Sequence, residues 1–165
     1  MRFLIKLTVT SGIAALLGGV AVGGATASEE KGTPEFEAQD SKRVHLTHQM
    51  DGGLTLSSTE GAHEGIPSNG SALPRYSESG PNLGFEVKRN NFSTNTLHAY
   101  FQAKKADRTV GTVKVSMSLN VWNETWTKAE FIDLNGNVNT SCVGVSKEAE
   151  HSYSIVNKDG LCWPR

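Results

Sequence analysis

Between residues 111 and 121 the chain alternates without a break. Val113, Val115, Met117, Leu119 and Val121 are apolar, and Thr112, Lys114, Ser116, Ser118 and Asn120 between them are polar. A repeat of two puts all the apolar side chains on one face, so this stretch predicts a strand with one buried and one wetted side. Weaker runs of the same kind span residues 84–88, 96–103, 127–134, 138–145, 152–156 and 161–163. Asn135-Gly136 and Asp159-Gly160 lie between such runs, and these dipeptides favour the left-handed conformations of tight hairpin turns. The pattern predicts an all-β domain over residues 85–165, a small antiparallel meander of about six strands forming a sandwich or barrel.

Turn placement carries expectations about register. A two-residue turn at Asn135-Gly136 sets Leu134 opposite Asn137, Phe131 opposite Thr140 and Ala129 opposite Cys142. A two-residue loop at Asn123-Glu124 would set Met117 opposite Glu130 and bury its charge, which is costly. One more loop residue sets Leu119 opposite Ala129 and Met117 opposite Phe131, and brings Trp122 opposite Trp126 on the polar face. A turn at Asp159-Gly160 puts Cys162 opposite Asn157, on the face of Tyr153 and Ile155.

Residues 28–84 read differently. Acidic and polar residues dominate at first, and Gly, Ser and Pro crowd the second half. Such a composition buries too little apolar area to offset the entropy of ordering. This predicts a disordered or loop-rich N-terminal segment. Short strands are expected only at Val44-His45-Leu46 and Leu54-Thr55-Leu56, joined by Asp51-Gly52-Gly53 and added at the edge of the main sheet. Lys42-Arg43 is a dibasic pair at which a pro-segment of residues 28–43 would be released. The plainer reading is an exposed basic dipeptide.

The first residues change the picture from a domain to an exported domain. Arg2 and Lys6 precede an apolar stretch over residues 7–24, and Ala25-Thr26-Ala27 closes it. That is the layout of a secretory signal peptide, with cleavage expected after Ala27. The alternative, a retained membrane anchor, is weakened by Thr8, Thr10, Ser11 and the glycines that dilute the stretch. Ser28, not a cysteine, stands directly after the cleavage site, which argues against lipid anchoring there, and no twin arginine precedes it. The expected product is secreted and extracellular, with no stable membrane anchor.

Charge excludes one class of partner. The chain has 16 Lys and Arg against 17 Asp and Glu, a net charge of −1. Loss of Arg2 and Lys6 leaves 14 basic against 17 acidic residues, or −3. A weakly acidic protein with no basic stripe lacks the clustered cations that bind phosphate backbones, so no nucleic acid partner is expected. The two cysteines, Cys142 and Cys162, predict one disulfide in an oxidising compartment. It would close a loop of about 20 residues and contribute about 3 kcal/mol by the chain-entropy argument. Zinc is the alternative, but His151 alone stands near these thiols.

Candidate chemistry is sparse. Trp122 and Trp126 would form an aromatic platform on the wetted face, bordered by Asn120, Asn123, Lys128 and Glu130. A sugar or another flat apolar ligand stacks on such a surface. The competing reading packs these rings against a second sheet. His45 and His48 fall on opposite faces of a strand, and His63 with Glu60 or Glu64 completes no recognised metal spacing. No metal or cofactor is expected. Residues 133–139 place Asp and Asn oxygens at alternate positions, as in a calcium loop, but they lack the EF-hand glycine and glutamate spacing. No Gly-x-Ser-x-Gly elbow occurs, and pairs such as Glu35/Glu37 and Glu148/Glu150 lie in exposed runs. Asn69, Asn91, Asn123 and Asn139 each head a glycosylation sequon, relevant in a glycosylating host. The expectation is a secreted, non-enzymatic β-domain that binds an extracellular ligand or partner by a strand edge, loops or the Trp122/Trp126 face, with carbohydrate one candidate. The alternatives are a secreted toxin or antimicrobial protein with a pro-segment, a protease inhibitor using residues 121–127 as bait, and, fourth, a small hydrolase.

Overall fold

The computed structural model describes residues 41–61, 64–89, 96–120 and 122–158. Among the described residues nine strands form: β1 (Ser41–His48), β2 (Gly53–Glu60), β3 (Leu83–Lys88), β4 (Thr96–Lys105), β5 (Arg108–Leu119), β6 (Thr125–Ile132), β7 (Val138–Asn139), β8 (Val143–Ala149) and β9 (Ser152–Asn157). They make a four-stranded sheet in the order β3-β1-β9-β8 and a five-stranded sheet in the order β2-β4-β5-β6-β7. The all-β expectation holds, and the architecture is a sandwich. Residues 1–27, the acidic stretch up to residue 40, His63, Asn91, Asp159-Gly160, the expected strand 161–163 and Cys162 lie outside the described residues.

The alternation in β5 places the two sheets face to face. Val113, Val115, Met117 and Leu119 are fully buried, and Leu97, Ala99, Phe101 and Ala103 of β4 join them. The opposing sheet contributes Val44 and Leu46 from β1, Phe85 and Val87 from β3, and Ile155 from β9. Phe85 and Phe101 meet edge to face across the interior, with ring centroids 6.2 Å apart at 78°. That arrangement sets the positive edge of one ring against the negative face of the other.

The domain begins earlier than its composition suggested. β1 is an interior strand, antiparallel to β3 and parallel to β9. β2 closes the other sheet against β4. The two are not a hairpin, because Gln49 to Gly52 carries the chain from one sheet to the other, and Met50 is buried at the crossing. Few apolar residues suffice here because each occupies an inward position. Lys42 and Arg43 pair with Val87 and Glu86, so the dibasic site lies within a paired strand.

Residues 70–76 are likewise not loose. They form a strap held by five backbone hydrogen bonds. Leu56 N donates to Ser71 O, Gly70 N to Leu56 O, Leu73 N to Leu54 O, His48 N to Pro74 O, and Tyr76 N to His48 O. Leu73 drops into the core. Composition missed this strap because its order comes from pairing with β2 and β1 rather than from its own side chains.

Two hairpins differ in register from the expectation. At residues 133–137 a three-residue turn replaces the two-residue one. Gly136 N donates to Asp133 O, Asp133 N donates to Asn137 O, and Gly136 takes φ 85°. Phe131 therefore faces Asn139, not Thr140. β8 then leaves for the other sheet, so Cys142 never pairs with Ala129, although it is buried. The β5–β6 connection is tighter than expected: Leu119 faces Thr125, Val115 faces Ala129 and Val113 faces Phe131. The shift is an even number of residues, so the inward and outward faces stay as the alternation predicted.

Near its start β5 bulges at Val110, between the pairs Lys104–Thr109 and Ala103–Gly111. A Cβ on Gly111 would fall 2.5 Å from the Ile132 carbonyl oxygen and 2.5 Å from Cζ of Phe131. Only glycine lets that ring lie flat on the strand. Gly111→Ala is expected to destabilise the protein by about 2 kcal/mol through overpacking, read as a fall in the urea midpoint at unchanged slope.

Candidate functional site

The outward face of the five-stranded sheet carries the sequence-predicted site in part. Trp126, Lys128 and Glu130 alternate along β6, and pairing sets them beside Ser118, Ser116 and Lys114 of β5. Thr96, His98 and Tyr100 of β4 come next, and Glu60 of β2 lies opposite His98. Cross-strand polar contacts lock this grid. Thr96 Oγ1 is 2.8 Å from Ser118 Oγ, and His98 Nδ1 is 2.9 Å from Ser116 Oγ. Tyr100 donates its hydroxyl hydrogen to Glu60 Oε2 at 2.8 Å, and Lys128 Nζ donates to Glu130 Oε1 at 2.6 Å. Lys114 Nζ stands 5.6 Å from the centre of the Tyr100 ring, within cation–π range. Ser118 is wholly buried although it belongs to the outer face, whereas Trp126 beside it is 44% exposed.

The electrostatics follow these contacts. The Lys128 ammonium holds the Glu130 carboxyl below its ordinary range. Burial, then the Glu60 hydrogen bond, raises the Tyr100 phenol. Burial, then the Lys114 charge, lowers the His98 imidazole and favours its neutral form.

Trp122, Asn120 and Asn123 have a different place. Trp122 does not stand opposite Trp126, which pairs with Ser118. It sits at the tip of the β5–β6 turn, 79% exposed. The cause is the Asn120 side chain. Its Oδ1 accepts hydrogen bonds from Trp122 N at 3.0 Å and Glu124 N at 2.8 Å, and its Nδ2 donates to Glu124 Oε2 at 3.1 Å. Asn123 adopts φ 64°, a left-handed conformation that asparagine tolerates better than most residues. Asn120 and Asn123 thus build the turn instead of bordering a platform.

Asp133 answers the calcium-loop resemblance in the same way. Its Oδ1 accepts from Asn135 N at 2.8 Å and Asn137 N at 2.9 Å, and its Oδ2 accepts from Asn137 Nδ2 at 2.9 Å. Its own turn takes up the oxygens. Among the described residues no group of three or more His, Cys, Asp and Glu side chains is arranged to hold a metal ion.

His151, named from the sequence only as the histidine nearest the thiols, belongs to a cluster between the sheets. His151 Nδ1 lies 2.9 Å from Thr125 Oγ1, and Thr125 Oγ1 lies 2.9 Å from the Tyr153 hydroxyl. Tyr153 also donates to the Thr125 carbonyl, and Glu150 Oε1 lies 3.3 Å from His151 Nε2. Since Tyr153 donates to the Thr125 carbonyl, the two hydroxyl contacts are both met when Thr125 donates to Tyr153 and His151 Nδ1 donates to Thr125. The cluster is a clasp that ties β6 to β9 across the two sheets. Its signal was hidden because β6 and β9 lie in different sheets.

The segment considered as protease bait has little free backbone. Thr125 to Thr127 is paired within β6, and Asn120 N donates to Glu124 O to close the turn. Comparison with protein-family models, characterised proteins and solved structures finds no match for the chain.

On the inward side of β1, His48 is buried and its Nδ1 accepts from Met50 N at 3.2 Å. Burial, then the nearby Arg75 charge, lowers its pKa below the ordinary 6.5. The unfolded chain therefore takes up this proton before the folded one does. The stability contributed by neutral His48 is complete above pH 6.5. It falls as the pH drops below that value and is lost through the folded pKa. Urea midpoints measured between pH 7.5 and 5 are expected to fall more steeply for the native protein than for His48→Gln. His98 contributes equally to both curves.

Proposed function

We propose that the protein is exported with loss of residues 1–27 and acts outside the cell as a non-enzymatic binding domain for a carbohydrate. The leader-like first residues support export. The buried position of Cys142, together with the lack of any free cysteine among the described residues, supports a Cys142–Cys162 disulfide suited to that compartment.

The observation that carries the binding reading is the exposed Trp126 ring on a face otherwise made of fixed polar groups. A pyranose ring presents an apolar face bounded by hydroxyls, and it stacks on an aromatic side chain while its hydroxyls reach neighbouring donors and acceptors. Lys128 and Glu130 lie two and four residues along the same strand face and supply both kinds of group. Their mutual hydrogen bond, like that between Tyr100 and Glu60, holds the polar atoms in place before a ligand arrives. Little side-chain entropy is then lost on binding.

The test is tryptophan fluorescence of the protein titrated with soluble fragments of cell-wall, plant and fungal polysaccharides. A saturable spectral shift is expected with at least one fragment class, with affinity falling about tenfold or more in Trp126→Ala as one stacking contact is lost. No shift with any fragment, or an undiminished shift in Trp126→Ala, contradicts the proposal.

A further inference from the structure

The opposite side of the sandwich has its own cavity. It holds about 230 Å³ and lies on the outer face of the four-stranded sheet. We propose that it binds a small organic ammonium ion, a protonated amine on a short carbon chain. This inference is independent of the carbohydrate reading, which concerns the other sheet.

The cavity exists because of small residues at central positions. Thr47 of β1 and Ser152 of β9 line it from outward-facing sites, where longer side chains would fill the space. Thr47 Oγ1 donates to Ser154 Oγ at 3.2 Å, which ties the floor together. Tyr76 forms a wall at the end of the strap, fixed by its backbone hydrogen bond to His48 O at 2.8 Å. His45 and Asn82 form another, with Nδ1 and Oδ1 2.7 Å apart. Since Asn82 Oδ1 can only accept, His45 Nδ1 donates.

The charge around the cavity is one-sided. Glu78 and Glu148 both line it, and among the described residues no lysine or arginine does. Glu148 Oε1 accepts from Gln49 Nε2 at 3.0 Å. The Tyr76 hydroxyl also donates to Glu148, and a carboxylate has about four lone-pair directions, so acceptor capacity remains. The Tyr76 phenol is raised above its ordinary pKa by burial and then by Glu148 and Glu78. The same negative field that opposes a phenolate attracts a cation. An ammonium group brings three donors and no acceptor, which matches carboxylate acceptors. The Tyr76 ring offers a face to the alkyl chain and to the cation. The volume is below that of pockets that enclose drug-sized molecules, so the ligand is small. The sign of the charge disfavours carboxylates and phosphates.

The test is a titration of the 15N-labelled protein followed by amide chemical shifts. The probe is n-butylammonium chloride at constant ionic strength, with n-butanol and sodium butyrate as controls. Saturable shifts are expected at Tyr76, Glu148 and Ser152 with the ammonium ion, and about tenfold weaker responses with the alcohol and the carboxylate. Glu148→Gln should weaken binding by about tenfold. Glu78→Gln changes an exposed residue, cannot disturb the core, and should weaken binding in the same direction. The proposal is overturned if no saturable shift occurs, if butanol binds as well as butylammonium, or if both glutamine variants bind like the native protein.

Discussion

β1 is the strand on which the remaining structure depends. It pairs antiparallel with β3 from Ser41 to Leu46 and parallel with β9 from His45 to His48. Without it, β3 would be a lone strand and β8–β9 a lone hairpin, and isolated pairs of strands are marginal in water. Its inward residues, Val44 and Leu46, lie beside Phe85, whose ring meets Phe101 of the other sheet. Its last residue, His48, supplies both the N–H and the C=O that anchor the strap. One eight-residue strand thus joins early and late chain segments, seals one side of the core and fixes the wall of the cavity.

That arrangement explains what could be read in the sequence and what could not. The inward and outward faces of β5 and β6 were legible, because strict alternation over residues 111–121 leaves one self-consistent choice. The pairing of Val113 with Phe131 was not legible, because it depends on a turn whose geometry comes from Asn120. An asparagine side chain that replaces backbone hydrogen bonds is indistinguishable, letter by letter, from one waiting for a ligand. Asp133 raised the same ambiguity, and the answer was again a turn. The sandwich was legible in kind. Its topology was not, since the parallel pairing of β1 with β9 spans most of the chain and leaves no local mark.

The candidate face shows the same division. Lys128, Glu130 and Trp126 were found because they share a strand, and period two is enough to align them. His98, Tyr100 and Glu60 complete the face from strands that pair through connections carrying no strong turn dipeptide. Ala106-Asp107 takes positive φ at both residues without a glycine, so the hairpin joining β4 to β5 gave no warning of itself. The cavity beside Tyr76 was beyond sequence reading altogether. Its floor belongs to β1 and β9, its wall to the strap, and nothing in a Ser-, Gly- and Pro-rich stretch announces that it will be pinned.

The two outer faces differ in character. One carries a solvent-facing aromatic ring and interlocked polar groups over an open sheet. The other has a small recess under negative charge. Both rest on the claim that residues 41–60 belong to the same cooperative unit as the alternating strands. Native-state hydrogen exchange tests that claim most directly. The amides of Val44 and Leu46 should exchange only through global unfolding, with the same free energy as those of Val115 and Met117. Rapid exchange at Val44 and Leu46 while Val115 and Met117 remain protected would show that β1 is dispensable, and would contradict the account.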